Sequence, residues 1–137
     1  MTGPPSASTA HTRVVFLPMA ASDLQVQIFG TKKNAETRKA LRFFAERRVK
    51  THFVDLAERA AAIGELKRFV LKFGIEGILD RDSKRFADLG LRTALYGEER
   101  WLSILADEPL LLKQPLVRCQ QKLCVGVDEK LFKEWLA

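Results

Sequence analysis

Thiols and imidazoles are scarce in this sequence, which has two cysteines, Cys119 and Cys124, and two histidines, His11 and His52. Four such residues at these separations match no recognisable zinc spacing, so no metal centre is expected. No apolar run approaches the roughly 18–20 residues needed to cross a bilayer. The apolar stretch 14–21 is short, broken by Pro18 and preceded by one basic residue, Arg13, which makes a poor secretory signal. No membrane partner is expected. With two cysteines suited to a reducing compartment, the chain reads as cytoplasmic. Gly-x-Ser-x-Gly, a phosphate-cradling loop and a dinucleotide fingerprint are all lacking, and no cofactor is expected.

What is present is one ordinary core's worth of chain. Its 137 residues are 47% hydrophobic and 29% charged, a composition that folds and is not disordered. The net charge of +6 favours acidic partners electrostatically. Read along the chain, the bases spread over several amphipathic segments and look like solvated faces. Most aromatic residues are Phe at helical core spacing, so no platform of exposed rings argues for direct nucleic-acid binding.

Residues 1–22 are rich in Gly, Pro, Ser, Ala and Thr and read as a disordered extension ahead of a domain at 23–137. Met19 heads a shorter version of the chain, so a misassigned start explains residues 1–18 as well as a functional tail does. Gln25–Phe29 is a strand with Val26 and Ile28 on one face, and Gly30 permits a sharp turn. A helix follows over Asn34–Arg48. Asn34 suits its N-cap, accepting from the amide of Glu36 or Thr37. Ala40, Leu41, Phe44 and Ala45 make its apolar stripe, with Phe43 at the edge. His52–Asp55 is a second strand, parallel to the first through a right-handed crossover, and His52 is structural.

Ala60–Phe73 reads as a helix that buries Ile63, Leu66, Phe69, Val70 and Phe73, with Gly74 as its C-cap. Short helical pieces follow at Gly77–Leu79 and Ser83–Leu89, then a helix over Glu98–Ala106 that Pro109 terminates. Glu98 and Glu99 suit the dipole of that helix and are not an acid–base pair. Pro115–Cys119 and Leu123–Gly126 form a hairpin around Gln120 and Gln121. A two-residue turn puts Cys119 opposite Lys122 and Cys124 opposite Val117. The sulfurs are then diagonal neighbours, too far apart for an unstrained disulfide, one at the turn edge and one buried. A last helix, Asp128–Leu136, buries Leu131, Phe132, Trp135 and Leu136. The order is α/β, with a helical insert at about 60–108.

Three stretches carry a family resemblance. Phe29-Gly30-Thr31-Lys32-Lys33-Asn34-Ala35-Glu36-Thr37, followed by Arg38-Lys39-Ala40, resembles the active-site loop of the arsenate reductase (ArsC)/Spx/YffB family. The segment from Gly77-Ile78-Leu79-Asp80-Arg81-Asp82 to Leu89-Gly90-Leu91 is similar to a second family motif, in which an arginine leads into an aromatic and Leu-Gly-Leu. Glu108-Pro109-Leu110-Leu111-Leu112-Lys113-Gln114-Pro115-Leu116 looks like a third, in which arginine precedes proline. The likeness covers about residues 25–136. It implies a thioredoxin-like fold with a mixed sheet and an inserted helical lobe.

In that family a thiolate at the start of the first helix attacks an oxyanion or a thiol partner, aided by the helix N-terminus and by arginines. Counted from Phe29 without gaps, the thiolate position is Asn34, and the second cysteine of the CxxC variant is Thr37. A shifted register puts Ala35 there instead. The arginine before proline is Gln114. The two registers of the other arginine fall on Asp80 and Asp82, with Arg81 between them and available after a small backbone shift. Pro115 matches the family's cis proline, which shapes a groove for an extended peptide. Lys32 and Lys33 on the loop, with Arg38 on the helix, are candidate cations for an anion or a partner.

The resemblance therefore implies a non-enzymatic binding or regulatory protein, with a protein partner that Spx-like relatives suggest is RNA polymerase. The alternative is an arsenate reductase-like or glutathione-dependent oxidoreductase that uses a relocated thiol, Cys119 or Cys124.

Overall fold

Alternating burial along Gln25–Gly30 builds β1, from which the first crossover leaves. In the computed structural model, which describes residues 25–137, α1 (Ala35–Glu46) carries the chain to β2 (Lys50–Asp55), parallel to β1. The extension expected at 1–22 lies outside the described residues. After β2 come α2 (Ile63–Ile78), α3 (Lys84–Asp88) and α4 (Glu98–Asp107), with single 3-10 turns at Leu91–Thr93 and Pro109–Leu111. The chain re-enters the sheet as β3 (Leu116–Cys119) and β4 (Lys122–Val125) and ends in α5 (Glu129–Leu136). The sheet order is β2-β1-β3-β4, with β3 antiparallel to both its neighbours. This is a mixed sheet in an α/β fold.

Strand period 2 sends neighbouring side chains to opposite faces, and each face has its own core. Val26, Ile28, Val117 and Cys119 pack with Phe43 and Phe44 of α1 and with Phe132 and Trp135 of α5. Phe29, Leu116 and Leu123 pack on the other side with the helices that follow β2, through Leu66, Phe69, Trp101 and Leu105. A polar pin also joins the sheet to α2: Arg118 donates to Gln27 Oε1 on β1 and to Glu65 Oε1 on α2.

Two local expectations are corrected. Phe43 is buried, whereas Ala45 is exposed. The reason is α5, whose Phe132 lies 5.4 Å from the Phe43 ring and 4.9 Å from the Phe44 ring, pulling the apolar stripe round toward Phe43. Helix α2 starts at Ile63, not Ala60, and leaves Ile63 45% exposed. Ala61 is buried in the core ahead of the helix, so its backbone is held by packing in place of a helical turn. Gly74 ends the first run of that helix, as expected of its C-cap. At φ 76° it kinks the chain in a conformation only glycine adopts easily, and the helix resumes to Ile78.

Candidate functional site

The site lies where the loop after β1 meets the segment before β3. Asn34 caps α1 in extended conformation, and its Oδ1 accepts from the Thr37 amide at 2.8 Å and the Thr37 hydroxyl at 3.2 Å. Ala35, one residue on, is exposed and does not line the groove described below. Thr37 is fully buried, alone among the polar and charged side chains of the described residues. It packs on Gly30 so closely that a Cβ at Gly30 would lie 2.4 Å from Thr37 Oγ1. Gly30→Ala is expected to cost about 1–3 kcal/mol, as overpacking does, measured by urea denaturation. Adding Thr37→Ala should recover part of that loss; no recovery would show that this contact is not the cause.

Gln114 reaches the same point from 83 residues away in sequence. Its Oε1 accepts from the Thr31 amide at 2.7 Å, the Thr31 hydroxyl at 2.9 Å and the Thr37 hydroxyl at 3.4 Å. What brings it there is an antiparallel run along the end of α2. Asp80 N donates to Leu111 O, Lys113 N donates to Ile78 O, and Leu79 bridges to Leu112. The Gln114–Pro115 peptide bond is cis, and Pro115 O accepts from the Gly126 amide. Proline position, cap and loop thus converge.

Beside this network is an open groove of about 930 Å³, lined by Asn34, Gln114, Asp80, Lys84 and Lys113 among others. Arg81 is not part of it. Its guanidinium makes a two-point pair with Glu76, 5.5 Å from the Phe86 ring and 5.9 Å from the Trp101 ring. The carboxylate holds Arg81 in its charged form, and the arginine in turn holds the Glu76 carboxyl below its ordinary value. Recruiting Arg81 to the groove would break that pair. Lys84, Arg85 and Lys113 also line the groove; they lie within the two later family-like stretches, but the sequence reading did not single them out as site residues. Lys32 and Lys33 are exposed on the loop, and Arg38 folds back to donate to Lys32 O at 2.8 Å.

The thiols lie elsewhere. Cys119 pairs with Lys122 and Cys124 with Val117, the register expected from a two-residue turn, and both are free. Cys119 is not an open turn-edge thiol. It is 2% exposed and Cys124 5%, because both face the core under α1 and α5. Burial pushes both above the ordinary thiol value, Cys124 to about 11 with Asp128 adding to the rise. Since folding raises these values, the neutral thiols favour the fold below the unfolded value of 9.0, and that contribution is lost as pH climbs toward about 11. Iodoacetamide should therefore label the native protein slowly even near pH 9 and label it rapidly in urea. Fast native labelling at pH 7 would contradict the burial.

A parallel β-α-β unit joined to an antiparallel hairpin, with a cis X–Pro bond just ahead of β3, defines a thioredoxin-like protein. The ArsC family model matches residues 29–135, and the chain belongs to that family. It is similar to the arsenate reductase of Neisseria meningitidis serogroup A, with 27% identity over 74% of this chain and 90% of that protein. It is also similar to the global transcriptional regulator Spx 2 of Bacillus cereus, with 24% identity over 81% of this chain and 86% of that one. A solved structure of a YffB protein shares the fold with a TM-score of 0.73 at 21% identity, over 82% of this chain and 99% of that chain. Among the described residues, no helix is long and apolar enough to cross a membrane, and no cluster of three or more metal-ligating side chains forms.

Proposed function

We propose that this chain is a cytoplasmic binding or regulatory protein on the ArsC scaffold, working without thiol chemistry. One observation carries the reading. The donors that face the helix start, the Thr31 amide and the Thr31 and Thr37 hydroxyls, are taken by Asn34 Oδ1 and Gln114 Oε1 of the chain itself. An oxyanion needs those donors free and needs a nucleophile beside them. Here two carbonyl oxygens occupy the place of a nucleophile and its anion.

At the two positions of the family's CxxC variant stand Asn34 and Thr37, joined by hydrogen bonds that neither form nor break with redox potential. The groove beside them is lined by Gln114, whose peptide bond to Pro115 is cis, and by a mixed set that includes Asp80, Lys84 and Lys113. Such a lining suits a polypeptide segment of mixed charge. A protein partner, RNA polymerase by likeness to the Spx regulator, is the partner this reading favours.

The test is affinity capture from a native lysate with and without added dithiothreitol. The reading expects one partner at stoichiometric level, retained equally under both conditions. Recovery of no stoichiometric partner, or recovery that depends on the reductant, would count against it. The alternative, a glutathione-dependent oxidoreductase using Cys119 or Cys124, draws no support from two buried thiols with raised pKa values.

A further inference from the structure

The net charge of this protein is not spread along it. Residues 32–50 hold eight basic and two acidic side chains, an excess of six that equals the net charge of the whole sequence. The remainder of the chain is balanced, with fifteen of each sign. Lys32 and Lys33 come from the loop, Arg38, Lys39 and Arg42 from α1, Arg47 and Arg48 from the turn after it, and Lys50 from the first residue of β2. All eight are exposed.

Among the described residues none of the eight is in an ion pair; the bases that are paired, Arg68, Arg81, Arg85 and Arg118, all lie elsewhere in the fold. The bases are spread over several segments and solvated, as expected, but the excess over acids falls in this one. One helix and the residues flanking it hold the whole net excess of the sequence count.

Two of these cations are already held in place. Arg47 lies 3.6 Å over the Phe43 ring and donates to Phe43 O at 3.1 Å. Arg38 donates to Lys32 O. A guanidinium fixed on one edge keeps its other donors for a carboxylate and loses less freedom on binding than a free one. Beside Arg47 is a shallow cleft of about 230 Å³ between α1 and α5, lined by Lys39, Arg42, Phe43, Glu46, Arg47 and Glu129.

We propose that this basic face of α1 is a docking surface for an acidic polypeptide segment. The inference rests on the binding role proposed above and adds to its groove a second surface, with the chemistry of the segment that surface takes. A polypeptide fits better than a duplex. Glu36, Glu46 and Glu129 are exposed in or beside the patch, and a uniform phosphate backbone would meet them as like charges. A polypeptide can set a neutral or basic residue there while its carboxylates meet the lysines and arginines. The rings of α1, Phe43 and Phe44, are buried and offer no base-stacking platform.

The test uses fluorescence anisotropy with a fluorescein-labelled oligo-glutamate peptide and a duplex DNA of equal formal charge. The double variant Lys39→Glu/Arg42→Glu should bind the peptide about tenfold more weakly, since each tenfold is one decade of Kd. The control Lys67→Glu/Arg92→Glu makes the same change of charge on exposed positions of the helical lobe and should stay within about twofold of the parent. Circular dichroism melting checks both folds, and Lys39→Gln/Arg42→Gln serves if the glutamates unfold α1.

Equal losses in test and control, absence of saturable peptide binding, or tighter binding of DNA than of peptide would each overturn the docking surface. Arsenate turnover by the same preparation would sink the non-enzymatic reading alone and leave the α1 result standing. An unchanged affinity in the α1 variant would sink the docking surface alone.

Discussion

Purified protein supplied with arsenate, glutathione and glutaredoxin, or with thioredoxin, will reduce arsenate no faster than buffer. The attack requires a thiolate at the start of α1, and Asn34 and Ala35 supply none at any pH. Restoring the thiol alone will not restore turnover. Asn34→Cys should give a thiol below the ordinary value of about 8.5, because it would sit at the N-terminus of a 12-residue helix next to Lys33. The variant also gives up the cap to Thr37, at a cost of about 1 kcal/mol.

An arsenate at that thiol would still face Gln114 Oε1, an acceptor where the anion needs a donor, with the Thr31 amide already occupied. Adding Gln114→Arg exchanges that acceptor for a cation and frees Thr31 and Thr37 to donate. Anion binding, read by protection of the new thiol from iodoacetamide, should therefore return before turnover does. Efficient arsenate reduction by Asn34→Cys alone would show that the other departures are tolerated and that the non-enzymatic reading is wrong. Wild-type turnover abolished by Cys119→Ser/Cys124→Ser would transfer the chemistry to the relocated thiols.

Phe44→Ala should destabilise the fold by about 3–5 kcal/mol, the range for truncating a buried phenylalanine. Phe44 is fully buried, with Phe43 at 5.1 Å and Phe132 at 4.9 Å between ring centroids. Its loss opens a void between α1, α5 and the sheet. Leu95→Ala, at a side chain 97% exposed, should change stability by less than about 0.5 kcal/mol. Urea denaturation of both variants makes the comparison. A Phe44→Ala loss below about 1 kcal/mol would mean that the core refills, and that α1 is held chiefly by its caps and its connections to the strands.

Several features of the site were legible before any coordinates. The capping of Thr37 by Asn34 spans three residues, so helical geometry alone dictates it. The pairing of Cys119 with Lys122 follows from counting two turn residues between strands of period 2. Arg81 went the other way. It was a reasonable candidate by motif, but Glu76, five residues upstream on the resumed helix beyond Gly74, captures its guanidinium. The positive φ at Gly74, which ends the first helical run as its sequence suggests, sets this geometry.

Sequence by itself determined the order of elements, the parallel crossover, the hairpin register and the cap of α1. Each depends on interactions over a few residues, or on periodicities of 2 and 3.6 that local composition expresses directly. Tertiary structure alone decided what surrounds that cap. Gln114 meets Thr31 across 83 residues of sequence because the end of α2 runs antiparallel to the segment before Pro115. Phe43 turns inward because α5 covers it, and both thiols are shielded because two helices close over one face of the sheet. Side chains far apart in the chain have no periodic or nearest-neighbour signature. Their meeting is set by packing, and so is the chemistry of this site.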